Sequence, residues 1–382
     1  MHSFSSRLSW FLALLVLLAL FGRAALTPRS SLVALGVDPV ALGLERAPVP
    51  AGLATGGQVA VFFTTPELSY PDLAQARIAP APERALLRDL AAARHSIDIA
   101  SFEYNLASIA EALITARARG VEVRLALDRD CLEHPAMARW AGWVEDAGIQ
   151  ISWQQGSQFL HSKFVVIDGL VVWTGSWNLT TNDTYRNNNN LLRIMAPELV
   201  ANYQAEFAQM FDGAFGKTKR ILTPFPLAQA GPLRVANYFS PHESVRPQVL
   251  AQIEAARSQI DVLAFAFTDP SIGAALAERQ AAGVPVRVVF ETRNIRGTGS
   301  QQLALLEAGI EVLPDGNCYT MHHKVIIIDQ RVVITGSYNF TGRAEDVNDE
   351  NLLIIHDPQL ARAYQAEFGR VYGQARAPTR CQ

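Results

Sequence analysis

One stretch of this sequence occurs twice and constrains the fold more than any other feature. Residues 161–178 read HSKFVVIDGLVVWTGSWN, and residues 322–339 read HHKVIIIDQRVVITGSYN. Both follow one pattern: His-x-Lys, four apolar residues, Asp, six residues and then Gly-Ser-x-Asn. A match of this length with the same internal spacing is too specific for chance. The rest of the chain is therefore expected to hold these two segments face to face.

Further segments recur in the same order, which indicates a tandem duplication. Residues 120–124 correspond to residues 283–287, an offset of 163 positions (283 − 120). After a two-residue deletion the offset becomes 161 (322 − 161), which is the offset between the two motifs. The pentapeptide Tyr-Gln-Ala-Glu-Phe recurs at that same offset. The two halves are therefore predicted to share one fold.

The first half alternates between strand and helix patterns. Its predicted elements are strands at residues 59–63, 96–102 and 121–127 and a helix at residues 83–94. Ser108, with Glu111 three residues later, predicts the start of a second helix through a capping box, and Gly120 predicts its end. Strand, helix and strand with short connections predict parallel strands in an α/β layer.

Residues 1–25 have the pattern of a secretory signal peptide. Arg7 precedes an apolar run at residues 10–21, and the small-residue sequence Gly-Arg-Ala follows at residues 22–24. The apolar run is shorter than the roughly 20 residues that a membrane-spanning helix needs. We therefore expect a cleaved signal and an exported protein, periplasmic or secreted. An uncleaved membrane anchor is the alternative.

The remaining boundaries follow from composition and from the repeat. Residues 26–58 are rich in Ala, Leu, Gly and Pro and are predicted to form a linker. The halves are predicted to span residues 59–214 and 234–382. A polar, extended connector is predicted between them at residues 215–233.

Composition limits the classes of function. Apolar residues make up 49% of the 382 residues, which allows a sizeable core, and the formal charge is −3. Loss of residues 1–25 removes two arginines and no acid, which gives −5 (−3 − 2). Nucleic-acid binders usually carry a basic excess, which this chain lacks. The cysteines, Cys131, Cys318 and Cys381, are predicted to be thiols without a role, although an oxidising compartment allows one disulfide.

Each motif is predicted to bring four polar groups to one edge of a sheet. The apolar residues between Lys and Asp predict a buried strand. Because side chains two apart in a strand share a face, His161 projects beside Lys163. His322 and Lys324 have the same relation in the second half. The motif's last polar residues follow a second apolar strand and are expected at the same edge: Ser176, Asn178, Ser337 and Asn339.

These groups suit a tetrahedral anion. Two such half-sites across a pseudo-two-fold axis would surround one phosphate with two His, two Lys and two Asn side chains. One histidine can attack phosphorus as a neutral imidazole while the other, protonated, donates to the leaving oxygen. Because the lysines supply positive charge, no metal or other cofactor is expected.

The paired H-x-K-x4-D-x6-G-S-x-N pattern resembles that of the phospholipase D superfamily, from about residue 59 to the end of the chain. The resemblance implies an α/β fold with two tandem α-β-α sandwich halves, related by a pseudo-two-fold axis, and one shared active site at their interface. It also implies a metal-independent, two-step displacement through a phosphohistidine intermediate.

The resemblance also implies roles for the motif residues. His161 would be the nucleophile and His322 the general acid. The phosphate would be bound by the two lysines and two asparagines: Lys163, Lys324, Asn178 and Asn339. Asp168 and Asp329 would be structural residues, buried and hydrogen-bonded.

One difference between the halves bears on these roles. The second half has Asn348-Asp349-Glu350-Asn351 where the first has four asparagines, so Asn189 stands at the position of Glu350. By the resemblance, Glu350 would orient and activate His161 in the opposite half. His322 would lack a charged partner, unless a loop supplies another acid such as Glu103 or Asp183. The two histidines would then have different environments, as different roles require.

The motif alone leaves the phosphodiester open. Residues 336–341, with Ala344, Glu345 and Asn351, resemble the compact bacterial nuclease and mitochondrial cardiolipin-hydrolase branch. The acidic balance, with only a modest cluster of Arg287, Arg293 and Arg296, disfavours nucleic acid. We expect a phospholipase D-type hydrolase that acts on phospholipid at a membrane surface. An exported endonuclease is the near alternative, and an inactive binding module is disfavoured because both motifs are intact.

Overall fold

Two eight-stranded sheets organise the protein, one from each half of the chain. The computed structural model describes residues 53–54, 58–64 and 79–378. The predicted signal peptide or anchor at residues 1–25 lies outside the described residues, and so does Cys381. In the described part of the chain, none of the helices is both long and apolar enough to cross a membrane.

The first sheet combines parallel and antiparallel strands. Its strands are β1 (Leu53–Ala54), β2 (Val59–Thr64), β3 (Ser96–Ser101), β4 (Glu122–Asp128), β5 (Gln150–Gln154), β6 (Phe164–Ile167), β7 (Val171–Gly175) and β8 (Asn189–Ile194). Their order across the sheet is β1-β2-β8-β7-β6-β3-β4-β5. Strand β4 pairs in parallel with β3 and β5, as the strand-helix-strand pattern predicts, and the other pairs are antiparallel.

The second sheet repeats this topology. Its strands are β9 (Leu227–Ala230), β10 (Leu233–Ser240), β11 (Ile260–Ala264), β12 (Val286–Phe290), β13 (Glu311–Pro314), β14 (Lys324–Ile328), β15 (Val332–Gly336) and β16 (Glu350–His356). Their order is β13-β12-β11-β14-β15-β16-β10-β9. With each strand number lowered by eight, this is the order of the first sheet read backwards. The duplication in the sequence is therefore a duplication of the fold.

Helices cover both faces of each sheet, as predicted for an α-β-α sandwich. They are α1 (Ala81–Ala92), α2 (Ala107–Ala118), α3 (Pro135–Asp146), α4 (Thr181–Tyr185), α5 (Pro197–Phe211), α6 (Arg246–Ala255), α7 (Pro270–Ala281), α8 (Gln302–Glu307), α9 (Gly342–Asp346) and α10 (Pro358–Arg376). Helices α1 to α3 pack on the outer face of the first sheet and α6 to α8 on that of the second. Helices α5 and α10 lie between the two sheets in one shared core.

The repeated pentapeptide Tyr-Gln-Ala-Glu-Phe lies in these two inner helices. Tyr203 in α5 and Tyr364 in α10 are fully buried. Asn351 of the second half donates a hydrogen bond from Nδ2 to the Tyr203 hydroxyl at 3.0 Å, and Asn190 of the first half does the same to Tyr364 at 2.9 Å. These reciprocal bonds connect the two halves, because each tyrosine is bonded by an asparagine of the opposite half. Buried polar groups need such partners, so the pairing fixes how the halves meet.

Asp168 and Asp329 hold the turns that follow β6 and β14. Asp168 accepts backbone N–H bonds from three consecutive residues, Arg94 to Ser96, at 2.7 to 2.9 Å. Asp329 does the same for residues 257–259. Burial opposes ionisation, but these N–H groups outweigh it and keep the pKa of both carboxyls below the usual value. The expected hydrogen bonding is present, but the expected burial is wrong, because both side chains are partly exposed.

Three local predictions differ from the structure. Helix α2 begins one residue before Ser108, whose hydroxyl donates to Glu83 at 2.6 Å instead of forming a capping box. Strand β1 lies within residues 26–58, which were predicted to be a linker, but it pairs with β2 and so belongs to the first sheet. The predicted connector at residues 215–233 contains strand β9 of the second sheet and the buried Lys219, so much of it is folded rather than extended.

The cysteines also differ from expectation. Cys318 is disulfide-bonded, whereas we predicted thiols without a role. Cys131 is a free, buried thiol, and its Sγ lies 3.1 Å from the carbonyl oxygen of Phe102. Burial raises the pKa of Cys131 beyond the physiological range, so it stays protonated and unreactive.

Candidate active site

The two histidines lie two or three residues before equivalent strands, β6 and β14, and backbone bonds between the halves hold these segments together. The His161 N–H donates to the carbonyl of Asp349 at 2.9 Å, and the His322 N–H donates to the carbonyl of Asn188 at 2.9 Å. Each motif strand is thus attached to the other half at the residue that carries its imidazole. This brings the two predicted half-sites into one site.

His161 lies against Glu350 of the opposite half. Its Nδ1 is 2.7 Å from Glu350 Oε2, and the Ser337 hydroxyl donates to the same oxygen at 2.6 Å. Because a carboxylate accepts hydrogen bonds, Nδ1 carries the proton and Nε2 keeps its lone pair. Glu350 is fully buried, so its charge acts on His161 through a medium that screens it weakly.

His322 has a weaker acceptor in the equivalent position. Its Nδ1 is 2.9 Å from Asn189 Oδ1, which also accepts the Ser176 hydroxyl at 2.8 Å. Asp183 Oδ2 lies 3.5 Å from the same nitrogen. Of the two acids named as possible partners of His322, Asp183 is therefore the one beside it, and the short helix α4 rather than a loop supplies it. The two imidazoles still differ, since Glu350 bonds directly to His161 and Asp183 stands beyond bonding distance of His322.

The two lysines are buried next to the histidines. Lys163 Nζ donates to the His161 carbonyl at 2.7 Å, and Lys324 Nζ donates to the His322 carbonyl at 2.8 Å. Burial lowers the pKa of Lys163 to about 8. Burial and the charge of Lys163 lower the pKa of Lys324 well below its usual value. Two desolvated cations that repel each other form a site that an entering phosphodiester anion stabilises.

Burial is also the main influence on the histidines. It lowers the pKa of His161 to about 4, although Glu350 acts in the opposite direction. It also lowers the pKa of His322 well below 6.5, with Lys324 adding to the effect. His161 is therefore neutral near pH 7, which is the form that the predicted nucleophile requires. His322 needs the negative charge of a bound substrate to hold a proton at that pH.

The serine of each Gly-Ser-x-Asn segment follows a glycine and is fully buried. A Cβ on Gly175 or Gly336 would lie 2.2 Å from a backbone oxygen of β8 or β16, so only glycine allows this close approach. Both serine hydroxyls bond within the protein: Ser176 donates to Asn189, and Ser337 donates to Glu350. The prediction that both serines bind phosphate is therefore wrong. They orient the groups that orient the histidines.

The two predicted phosphate-binding asparagines lie at the site. Asn178 is 3% exposed and donates from Nδ2 to Glu103 at 3.2 Å. Its Oδ1 has no hydrogen-bond partner among the described residues, and the same holds for Asn339 Oδ1. Asn339 is partly exposed. Each side chain thus has an unbonded acceptor, whereas a phosphate oxygen would have to be bound by an Nδ2 donor.

The remaining histidines lie outside this arrangement. His323 lies on the opposite face and is buried between Asn190 and Glu367. His134 and His356 are exposed. The side chain of His242 is only 7% exposed and lies 3.7 Å from Glu206.

Sequence reasoning missed a pair of aromatic residues at the site. The rings of Phe102 and Phe265 lie 5.2 and 4.7 Å from the imidazoles of His161 and His322. Lys163 Nζ is 5.5 Å from the first ring centroid, and Lys324 Nζ is 4.4 Å from the second. The rings thus exclude water from the cations and hold them by cation–π attraction. Their equivalent positions, at the 163-residue offset, were the signal that could have identified them.

Duplicated α-β-α sandwiches that share two His-x-Lys strands at their interface define the phospholipase D-like class of protein. A family model described as "Cardiolipin synthase, PLD-like domain" matches residues 86–211 and 249–372. The chain therefore belongs to this phospholipase D-like family.

Individual proteins show the same likeness. Mitochondrial cardiolipin hydrolase of Homo sapiens is 42% identical over 135 residues, which are 35% of this chain and only 54% of that protein. Phospholipase D of Rickettsia bellii (strain RML369-C) is 36% identical over 144 residues, or 37% of this chain and 70% of that protein. The solved structure of phosphatidylserine synthase from Haemophilus influenzae Rd KW20 has 14% identity and a TM-score of 0.56. The match covers 76% of this chain and 83% of the synthase, and it shows that the two proteins share a fold.

Proposed function

We propose that this protein is a metal-independent phosphodiesterase of the phospholipase D type, which hydrolyses the head-group phosphodiester of a phospholipid. The observation that carries the proposal is the pair of buried imidazoles with both Nδ1 atoms held by oxygen acceptors, Glu350 for His161 and Asn189 for His322. Both Nε2 atoms remain for the substrate, beside two buried lysines. Two basic nitrogens and two cations suit a displacement at phosphorus.

In the first step, Nε2 of His161 attacks phosphorus and forms an N–P bond while the bond from phosphorus to the head-group oxygen breaks. The imidazole becomes cationic, and Glu350, 2.7 Å from Nδ1, stabilises that charge. Protonated His322 gives its Nε2 proton to the departing oxygen. The departing oxygen therefore leaves as a neutral hydroxyl group of the head group.

In the second step, water attacks the same phosphorus. His322, now neutral, accepts a proton from this water, and the N–P bond breaks. The products are phosphatidic acid and the free enzyme, with His322 protonated again. Lys163 and Lys324 stabilise the charge on the non-bridging oxygens in both steps, with donors from Asn178 and Asn339.

Charge distribution supports phospholipid over nucleic acid. Arg287, one of three arginines that a nucleic-acid site could use, is paired with Asp261 at 2.7 Å and lies over the Phe368 ring. Arg293 is bonded to Glu291 at 3.0 Å. Their charges are therefore partly neutralised within the protein. Export or anchoring through residues 1–25 belongs to the same proposal and would bring the enzyme to a bilayer surface.

A direct comparison of substrates tests the proposal. The purified protein, in EDTA and without added metal, is given short-chain phosphatidylethanolamine and, separately, single-stranded DNA. We expect release of the head-group alcohol at an undiminished rate in EDTA, since lysines supply the charge, and no cleavage of DNA. DNA cleavage without lipid hydrolysis would establish the endonuclease alternative. Absence of both activities would leave an inactive binding module.

The pH dependence should follow from the lowered pKa of both histidines. The free enzyme must hold His161 neutral and His322 protonated, so kcat/KM should be highest below pH 6.5 and fall as pH rises. In the complex, the bound phosphodiester anion favours protonated His322, so kcat should fall at a higher pH than kcat/KM does. Initial rates between pH 4 and 9 test this. A kcat/KM that increases from pH 5 to pH 8 would contradict it.

A variant at position 189 tests whether His322 causes the fall in kcat/KM as pH rises. Asn189→Asp places a carboxylate beside His322 and raises its pKa. We expect the fall in kcat/KM to move to higher pH by about one unit. If the pH at which kcat/KM falls does not change, His322 is not the group that must be protonated.

A further inference from the structure

A cleft of about 580 Å³ opens beside His322. Both halves line it, with Glu103, Asn178 and Asp183 from the first and Phe265 and His322 from the second. Among the described residues, His322 lines this cleft and His161 does not. In the proposed reaction His322 protonates the leaving oxygen, so the departing alcohol lies in this cleft.

The wall of the cleft carries three acidic side chains, Glu103, Asp183 and Glu291, against one arginine, Arg293, and two histidines, His134 and His322. Glu103 and Asp183 form no ion pair with a lysine or arginine of the described chain, whereas Glu291, also in the wall, is paired with Arg293. Asp183 accepts the backbone N–H of Asn178 at 2.7 Å, which fixes its position. Glu103 is partly exposed and accepts one bond, from Asn178 Nδ2. Glu103 is therefore the carboxylate that a ligand can reach.

The acidity belongs to one half-site only. Position 103 corresponds to Ala266 at the 163-residue offset, and position 183 corresponds to Ala344 at the 161-residue offset. The backbone equivalence is direct: Tyr104 pairs with Leu179 in the first half as Phe267 pairs with Phe340 in the second. The two histidines are thus alike in fold, but only the His322 side carries these two acids.

Asn178 provides an independent sign of a ligand. It lines the cleft and is 3% exposed, and its Oδ1 has no hydrogen-bond partner among the described residues. An unpaired buried acceptor is costly, and a ligand that donates hydrogen bonds removes that cost. The cleft therefore offers acceptors, Asn178 Oδ1 and Glu103, to a group that carries donors and positive charge.

We infer that this cleft is the leaving-group subsite for a head group that carries a primary ammonium, of the ethanolamine type, with Glu103 as the residue that selects it; the inference rests on the proposed function. A primary ammonium has three N–H donors and one positive charge, which match the two acceptors. A quaternary ammonium lacks these donors. An alcohol with a further phosphate or carboxylate would bring a second negative charge against Glu103 and Asp183.

Competition between two lipids tests the inference. Short-chain phosphatidylethanolamine and phosphatidylglycerol are mixed in equal amounts in the same micelles, and released ethanolamine and glycerol are measured. We expect the ratio of kcat/KM values to favour phosphatidylethanolamine. Glu103→Gln should lower that ratio about tenfold or more, since it removes a charge-assisted bond to the ammonium. Glu111→Gln, the same change at an exposed position outside the cleft, should leave the ratio unchanged.

The remaining outcomes separate this inference from the proposed function. If Glu103 acts only by positioning Asn178, Glu103→Gln lowers both rates in proportion, the ratio stays constant, and the inference is wrong. A wild-type preference for phosphatidylglycerol also overturns it, while the phospholipase activity stands. If neither lipid is hydrolysed and DNA is cleaved, the proposed function itself fails and the inference falls with it.

Discussion

His161→Ala should lower the rate of phosphodiester hydrolysis by about 10⁴-fold or more, because it removes the atom that forms the N–P bond. His356→Ala, at an exposed strand end, should retain full activity. Rapid quenching of wild-type protein in alkaline denaturant during turnover should preserve the N–P bond, so that peptide mass spectrometry detects the substrate's phosphoryl group on His161. Full activity of His161→Ala, with a melting temperature like that of the wild type, would rule out the phosphohistidine scheme.

The leaving group can separate the roles of the two histidines. A p-nitrophenolate ion departs without a proton, so a phosphodiester with this leaving group needs no general acid in the first step. His322→Ala should therefore release one equivalent of p-nitrophenol in a rapid burst and then stall, because no group accepts the proton of the attacking water. His161→Ala should give no burst. The opposite result would exchange the two roles and place the head group beside His161.

Much of the fold was predictable because the repeat and the strand periodicity are local in the sequence. Parallel pairing of β3 with β4 followed from the short helical connection between them. The position of α5 and α10 between the two sheets was not predictable, because it depends on contacts between halves. Only the structure shows that Tyr203 is paired with Asn351 across that interface. The extent of the connector was missed for the same reason, since Lys219 is buried by residues far from it in the chain.

The site was predicted in outline and missed in its supporting contacts. Residue types and spacing indicated the two histidines, and the structure has the expected contact between His161 and Glu350. Strand alternation says which edge a side chain occupies, but not which neighbour it bonds. The serines were therefore assigned to phosphate, although Ser337 bonds to Glu350. The sequence offered both Glu103 and Asp183 as an acid beside His322. It could not choose between them, because Asp183 is positioned by the short helix α4.

Lys219→Met should destabilise the protein by about 3–5 kcal/mol, because it leaves two buried carboxylates without their cation. Lys219 Nζ bonds to Glu206 of α5 and lies 2.6 Å from Asp349, and all three side chains are almost completely buried. Burial acts to lower the pKa of Lys219, but the two carboxylates outweigh it, so the lysine is charged. Chemical denaturation of Lys219→Met and wild type measures the difference. Lys217→Met, at an exposed position two residues earlier, should change stability by less than about 0.5 kcal/mol.

The pH dependence of this loss should identify its cause. Burial raises the pKa of Glu206 to about 7, above its unfolded value of 4.5, so the stability it contributes is present at low pH and lost as pH rises through 7. Without Lys219 the folded pKa rises further, so the deficit should be larger at pH 8 than at pH 5. Adding Glu206→Gln should restore part of the stability at pH 8. A stability deficit that is the same at both pH values would instead indicate lost packing around the Lys219 side chain.

The Asp349 carbonyl also accepts the His161 N–H. A Lys219→Met protein whose reaction rate falls while its melting temperature stays normal would therefore show that this cluster positions the nucleophile.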